Sequence, residues 1–185
     1  MVKKIYCISA GHNPAGKIAC GASDLLDEST EARKITKEVI KLLRKKGYKV
    51  YNCTTNRGSS QSDVLKKVVS YHNKQDAVLN ISIHLNSGRN DKTGDNKIAG
   101  TEALVYSNSG IKKEVSEHYL KEMEKLGFTN RGIKIRKDLY FLKKTTNPSI
   151  LIEVCFVDDK DDYNLYQKVG YKRIAQAIVN AILYK

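Results

Sequence analysis

The run Ser149-Ile150-Leu151-Ile152-Glu153-Val154-Cys155-Phe156-Val157 is apolar apart from its first residue and Glu153. Its β-branched and aromatic content suits a strand. A strand without polar alternation is buried on both faces, as in the centre of a parallel sheet covered by helices. A lone carboxylate at such a position is costly unless it is paired or does chemistry.

On either side of this run the chain alternates strands and helices. Ile5 to Ser9 is a short β-prone run, ended by Ala10-Gly11-His12-Asn13-Pro14 and a loop to Asp27. The stripe Ala32, Ile35, Val39, Leu42 and Leu43 predicts a helix from Glu28 to Lys46, stopped by Gly47. Lys49 to Thr54 reads as a strand, and Val64, Leu65, Val68 and Val69 mark a second helix. Ala77 to Leu85 is strongly β-prone, and a polar loop from Asn86 to Ala99 leads to a strand from Gly100 to Tyr106. Ile111, Val115, Tyr119 and Met123 mark a helix that ends near Gly127, and Ile133 to Leu142 reads as extended or irregular. Ile150 to Val157 is the strand quoted above, and Ile174, Ala177, Ile178, Ala181 and Ile182 mark a C-terminal helix. Alternation of this kind predicts an α/β fold with an open, mostly parallel twisted sheet and helices on both faces. Ligands then sit at the carboxyl ends of the strands.

Composition narrows the classes. A length of 185 residues suits one domain, and 41% hydrophobic residues is too many for a disordered chain. No apolar run approaches the roughly 20 residues of a membrane span. Thirty-three Lys and Arg against twenty Asp and Glu give a net charge of +13, a surface that attracts polyanions. The lysines are scattered, as in Lys45-Lys46, Lys66-Lys67 and Lys143-Lys144, and read as solvated faces; no nucleic-acid motif accompanies them. Cys7, Cys20, Cys53 and Cys155 form no C-x-x-C pair, which argues against a cysteine-based zinc or redox site. The opening run Met1 to Ile8 is too short for a signal peptide, so synthesis and folding in a reducing cytoplasm are expected.

Two of the four histidines fall where ligands are expected. His12 follows the first strand and His84 ends the strand Ala77 to Leu85. His72 and His118 fall at helix positions and read as packing or boundary residues. Two imidazoles at one sheet edge suggest a shared metal, and zinc in hydrolases often adds a carboxylate and an open position. Glu28 and Glu31 are the candidates. At about 100° per residue, Ala32, Ile35, Val39 and Leu42 lie within roughly 40° of Glu28, while Glu31 is about 60° off. Glu28 therefore heads the buried face; Glu31 suits the favourable interaction of an acid with the first turn of a helix. The choice between them stays open. Glu153 would gain proton affinity from burial, which suits a general base.

These pieces occur in a particular order: Ala10-Gly11-His12-Asn13-Pro14, Glu28 heading a helix that ends at Lys46-Gly47-Tyr48, Ser82-Ile83-His84-Leu85-Asn86, Gly100-Thr101-Glu102, Asn130-Arg131-Gly132 and Leu151 to Phe156. The ordered set resembles the zinc-dependent N-acetylmuramoyl-L-alanine amidases of the type 3 family, to which several phage endolysins and bacterial autolysins belong. It covers nearly the whole chain. Many members begin Asp-Pro-Gly-His-Gly, where this chain has Ser9-Ala10-Gly11-His12-Asn13, so the contacts of that loop are the point of departure.

The resemblance implies that His12, Glu28 and His84 bind Zn2+ and that Glu153 is the catalytic carboxylate. The implied reaction cleaves the amide between N-acetylmuramic acid and L-alanine of peptidoglycan. Asn86 is a weaker candidate for contacting substrate, and Ser87 to Ala99 and Arg136 to Leu142 are candidates for lining the groove. The basic charge would hold the protein near anionic wall polymers. A monomer is favoured, with no nucleic-acid partner, no membrane span and no separate wall-binding domain after the last helix. A phage or prophage endolysin, made in the cytoplasm and acting on the bacterial wall after release, fits the lack of a leader; a mother-cell enzyme acting at sporulation also fits. The competing classes are a zinc peptidase acting on stem peptides, a nucleic-acid-binding α/β domain and a non-catalytic wall-binding relative.

Overall fold

The computed structural model of the protein describes residues 4–184. The readings placed on Met1 to Lys3 and on Lys185 fall outside them. In chain order the elements are β1 (Ile5–Ala10), α1 (Glu28–Lys45), β2 (Lys49–Asn52), α2 (Gln61–Asn73), β3 (Leu79–Asn86), β4 (Thr101–Val105), α3 (Gly110–Lys125), β5 (Asn130–Ile135), α4 (Tyr140–Lys144), β6 (Ser149–Phe156), α5 (Lys160–Val169) and α6 (Tyr171–Ile182). The strands form one sheet in the order β2-β1-β3-β6-β4-β5. β2, β1, β3 and β6 run parallel; β4 lies antiparallel to β6 and carries β5 parallel to itself. The expected mostly parallel α/β sheet is therefore present.

The apolar run around Glu153 is central, as its composition requires. Ile150, Ile152 and Val154 enter a large core shared with α1, α3 and α6. Leu151 joins a smaller core on the opposite face with Val64 and Val68 of α2, Leu104 of β4, and Phe141 and Leu142 of α4. On α1, Ala32, Ile35, Val39 and Leu43 are buried in the large core. Each large apolar side chain buried in this way contributes roughly 1.5–3 kcal/mol. The start of α1 is fixed by Asp27, whose side chain accepts a 2.7 Å hydrogen bond from the Thr30 amide. The helix stops before Gly47, whose φ of 86° suits glycine.

Two stretches depart from the sequence reading. Ile133 to Leu142 is not simply irregular: it holds the end of β5, a connection and the start of α4. β5 is an edge strand that exposes Lys134 and Ile135, so it lacks the burial that writes a strand pattern into sequence. α4 has five residues, too few to establish a helical period. The second departure is α5, between Val157 and the C-terminal helix, which had no predicted counterpart. It is started by Asp159, which accepts from the amides of Asp161 and Asp162.

Candidate metal centre

β1, β3 and the N-terminus of α1 meet at one point. His12 lies just past β1, held there by a 3.2 Å bond from the Gly11 amide to the Ile83 carbonyl. His84 is on β3, and Glu28 is the first residue of α1. Glu28 Oε1 stands 3.2 Å from His12 Nε2 and 3.0 Å from His84 Nδ1. The imidazole rings are 4.8 Å apart at 83° to one another. Backbone amides hold the carboxylate in place: Leu85 donates to Oε1 at 3.2 Å and Ala22 to Oε2 at 2.9 Å.

Two close backbone approaches frame this trio. A Cβ on Gly11 would collide with the His84 ring, and one on Gly21 (φ +82°) would collide with Glu28 Oε2. Arg33 braces the loop behind His12, donating to the His12 carbonyl at 2.7 Å and the Thr55 carbonyl at 2.8 Å. Asn13, at the point of departure noted above, is fully buried and ties Ile18 to Gly58 through its side chain. This residue closes the loop by hydrogen bonds internal to the chain.

The trio has the chemistry and spacing of a metal centre. Two nitrogens and one carboxylate oxygen are the donor set of many zinc hydrolases. Tetrahedral bonds of about 2.0–2.1 Å place donors roughly 3.3 Å apart, close to the separations here. Burial alone would push the Glu28 carboxyl up, but hydrogen bonds to His12 and His84 outweigh it and hold it well below the usual carboxylate range. Burial pushes His84 down against the pull of Glu28, favouring the neutral imidazole that has a lone pair to give. His12 Nδ1 is buried without a hydrogen-bond partner, a further polar atom with coordinating capacity.

Glu153 faces the same space. In register it lies opposite His84 on one side and Glu102 on the other. Its Oε2 is buried and has no hydrogen-bond partner. Burial drives its carboxyl well above the ordinary value; Glu28 and Glu102 add to this and Arg136 opposes it. His12, His84 and Glu153 form the polar end of a cavity of about 260 Å3. Its other wall is apolar, built from Val68, Leu104, Leu139, Phe141 and Leu151, with Gln61, Arg136 and Tyr140 also lining it.

The remaining candidates resolve individually. Glu31 points away from the trio: the Tyr166 hydroxyl donates to its Oε2 at 2.7 Å and Lys34 pairs with its Oε1 at 2.8 Å. Asn86 does not line the cavity; its Nδ2 donates to Glu102 Oε1 at 3.0 Å. Arg131 donates to the other oxygen of Glu102 at 3.2 Å. The group Asn86, Glu102 and Arg131 thus flanks Glu153, a placement that only strand register reveals. Of the two segments expected to line the groove, Arg136 to Leu142 does so through Arg136, Leu139, Tyr140 and Phe141. Ser87 to Ala99 does not; the Gly88 and Asn90 amides donate to Asp158, and those of Asp95 and Asn96 to Asp161, in the stretch that follows β6. His72 is buried between Asn80 and Ser9, and His118 stacks on Tyr184. All four cysteines are free thiols, three of them buried. Among the described residues no helix is long and apolar enough to cross a membrane.

Comparison with known proteins places this geometry. Residues 7–184 match the family described as N-acetylmuramoyl-L-alanine amidase. An uncharacterised 38.4 kDa protein of Clostridium perfringens is 34% identical over 181 residues, covering 95% of this chain and 49% of its own length. The chain spans about half the length of the curated relatives it matches. Among solved structures, the catalytic domain of the CD27L endolysin targeting Clostridia difficile is similar, with a TM-score of 0.85, 27% identity and 98% of each chain covered. The N-acetylmuramoyl-L-alanine amidase AmiC2 of Nostoc punctiforme is similar with a TM-score of 0.76 and 25% identity, over 97% of this chain and 95% of that one.

Proposed function

Because the chain belongs to the N-acetylmuramoyl-L-alanine amidase family, we propose that it hydrolyses the amide between the lactyl group of N-acetylmuramic acid and L-alanine in peptidoglycan. In this reading His12, Glu28 and His84 hold one zinc ion and Glu153 moves the proton. The observation that carries it is the meeting of two imidazoles and a carboxylate at 3.0–3.2 Å, with both imidazoles lining a cavity that they share with the unpartnered carboxylate oxygen of Glu153.

Zinc bound there supplies Lewis acidity to a carbonyl and to a water. The chain's own groups do the rest. The Ala22 and Leu85 amides fix the Glu28 carboxylate, so the trio needs little rearrangement to bind. Glu153 Oε2 accepts a proton from the attacking water and returns it to the leaving amine of L-alanine. Its raised proton affinity makes it a useful base near neutral pH. The apolar wall excludes bulk water from that exchange.

Likeness to an endolysin catalytic domain supports a lytic role on the bacterial wall. A charge of +13 supports its retention by anionic wall polymers. Product analysis tests the reaction. Digestion of purified peptidoglycan should release stem peptides with free L-alanine amino termini and leave the glycan intact. Cuts within the peptide would instead establish a zinc peptidase. Glu153→Ala should keep its zinc and lose hydrolysis by about 10²-fold or more; unchanged hydrolysis would remove Glu153 from the mechanism.

A further inference from the structure

One polar contact at the trio has no part in the mechanism above. Ser82 lies two residues before His84 on β3, on the same face of the strand. It is 1% exposed, and its Oγ stands 3.0 Å from His84 Nε2. The other ring nitrogen, Nδ1, is the one turned to Glu28. His84 is therefore held at both nitrogens by groups of different type. Glu28 is a carboxylate that only accepts, and Ser82 is a hydroxyl that both donates and accepts.

We propose that Ser82 is a positioning residue for the metal, a hydroxyl that holds the His84 ring in place in both the tautomer of the free site and that of the loaded one. The inference rests on the reading that His12, Glu28 and His84 bind zinc. Without the ion, Nδ1 carries the proton and donates it to Glu28, and Nε2 accepts from the Ser82 hydroxyl. Were Nδ1 to give its lone pair to a metal, Nε2 would carry the proton and the same hydroxyl would accept from it. The Ser82 oxygen need not move between the two states; its hydrogen turns as the ring proton is lost at Nδ1 and gained at Nε2. A donor-only or acceptor-only neighbour would oppose one of the two states. The neighbours of Ser82 fit this role. Its register partner on β1 is Ser9, whose Oγ is 3.0 Å from His72 Nε2. His72 Nδ1 in turn meets Asn80 Oδ1 at 3.0 Å, an acceptor that makes this nitrogen the donor. Ser9 therefore donates to His72 Nε2, and Ser82 is left free to serve His84.

The contrast with His12 makes the inference specific. His12 meets Glu28 through Nε2 at 3.2 Å, but its Nδ1 is buried and has no partner, so no second side chain holds that ring from the other nitrogen. Affinity control through a hydroxyl on the far ring nitrogen should therefore reside on His84 and not on His12. Partners of metal-bound histidines typically change affinity by about 10–100-fold when removed.

The test is zinc affinity by competition with a chromophoric chelator, on wild type, Ser82→Ala and Ser82→Thr, with the melting temperature of each metal-free protein alongside. The expected result is a 10–100-fold weaker affinity for Ser82→Ala. Ser82→Thr keeps the hydroxyl and should restore affinity to within a few-fold of wild type. Wild-type affinity in Ser82→Ala overturns the inference while leaving the ligand trio intact. Equal loss of affinity in both variants also overturns it, because that pattern reports packing around β3. If the wild type itself takes up no zinc, the ligand assignment fails first and this inference with it.

Discussion

The site depends on a few atoms with no room for change. Gly11 is set against the His84 ring so closely that even a methyl group cannot be accommodated. Gly11→Ala should therefore push the His84 ring off the trio; the expected outcome is loss of bound zinc, read by elemental analysis, in a protein that still folds by circular dichroism. Full zinc occupancy in that variant would contradict the described approach of β1 to His84. Glu28 and Glu153 were legible in the sequence because each is a carboxylate in phase with apolar neighbours, one on a helix stripe and one in a strand. Burial without a reason is expensive for either, and that cost is the signal. Glu31 was separable from Glu28 by helical angle, and its bond to Tyr166 is the contact that settles where it goes. Ser82, Glu102 and Arg131 carried no such signal. Their roles arise from strand register and side-chain reach, which a sequence does not display.

At the scale of elements, α2 is attached to the sheet by a buried histidine. His72 reaches Ser9 on β1 and Asn80 on β3, and burial pushes its imidazole down to about 4. The unfolded chain has an ordinary value near 6.5. The folded value is thus depressed, so this group's contribution is intact above pH 6.5. It is lost as pH falls, because the unfolded state takes up a proton that the folded state refuses. The loss amounts to about 3 kcal/mol between pH 6.5 and 4. Urea unfolding across that range should show a shallower acid decline for His72→Gln than for wild type; parallel curves would refute the assignment. Helix position alone had suggested packing for His72, which is correct for its burial and silent on its polar partners. The elements the sequence did not display follow a common cause. β5 is an exposed edge, α4 is one turn long, and α5 opens on a polar Asp-rich stretch whose role is to cap it and to hold the loop from Ser87 to Ala99. The long buried elements α1, β3, β6 and α6 were legible because burial writes an apolar period into them.

At the scale of the molecule, two features act together: a single sheet that gathers the site at its strand ends, and a strongly basic charge. If the charge draws the protein to an anionic wall, lysis of intact cells should slow as salt shortens the Debye length from about 10 Å at 0.1 M to about 3 Å at 1 M. Hydrolysis of a small soluble muropeptide should change much less over the same range. Equal rates of cell lysis at both salts would show that long-range attraction plays no part. The central claim, that a side chain just past β1, one on β3 and one at the start of α1 make one metal centre, is tested most directly by the zinc content of the purified chain beside His12→Ala, Glu28→Ala, His84→Ala and Glu31→Ala. The account predicts one zinc per chain in the wild type and in Glu31→Ala, with loss in the other three. Zinc retained in His84→Ala, or lost in Glu31→Ala but kept in Glu28→Ala, would contradict it.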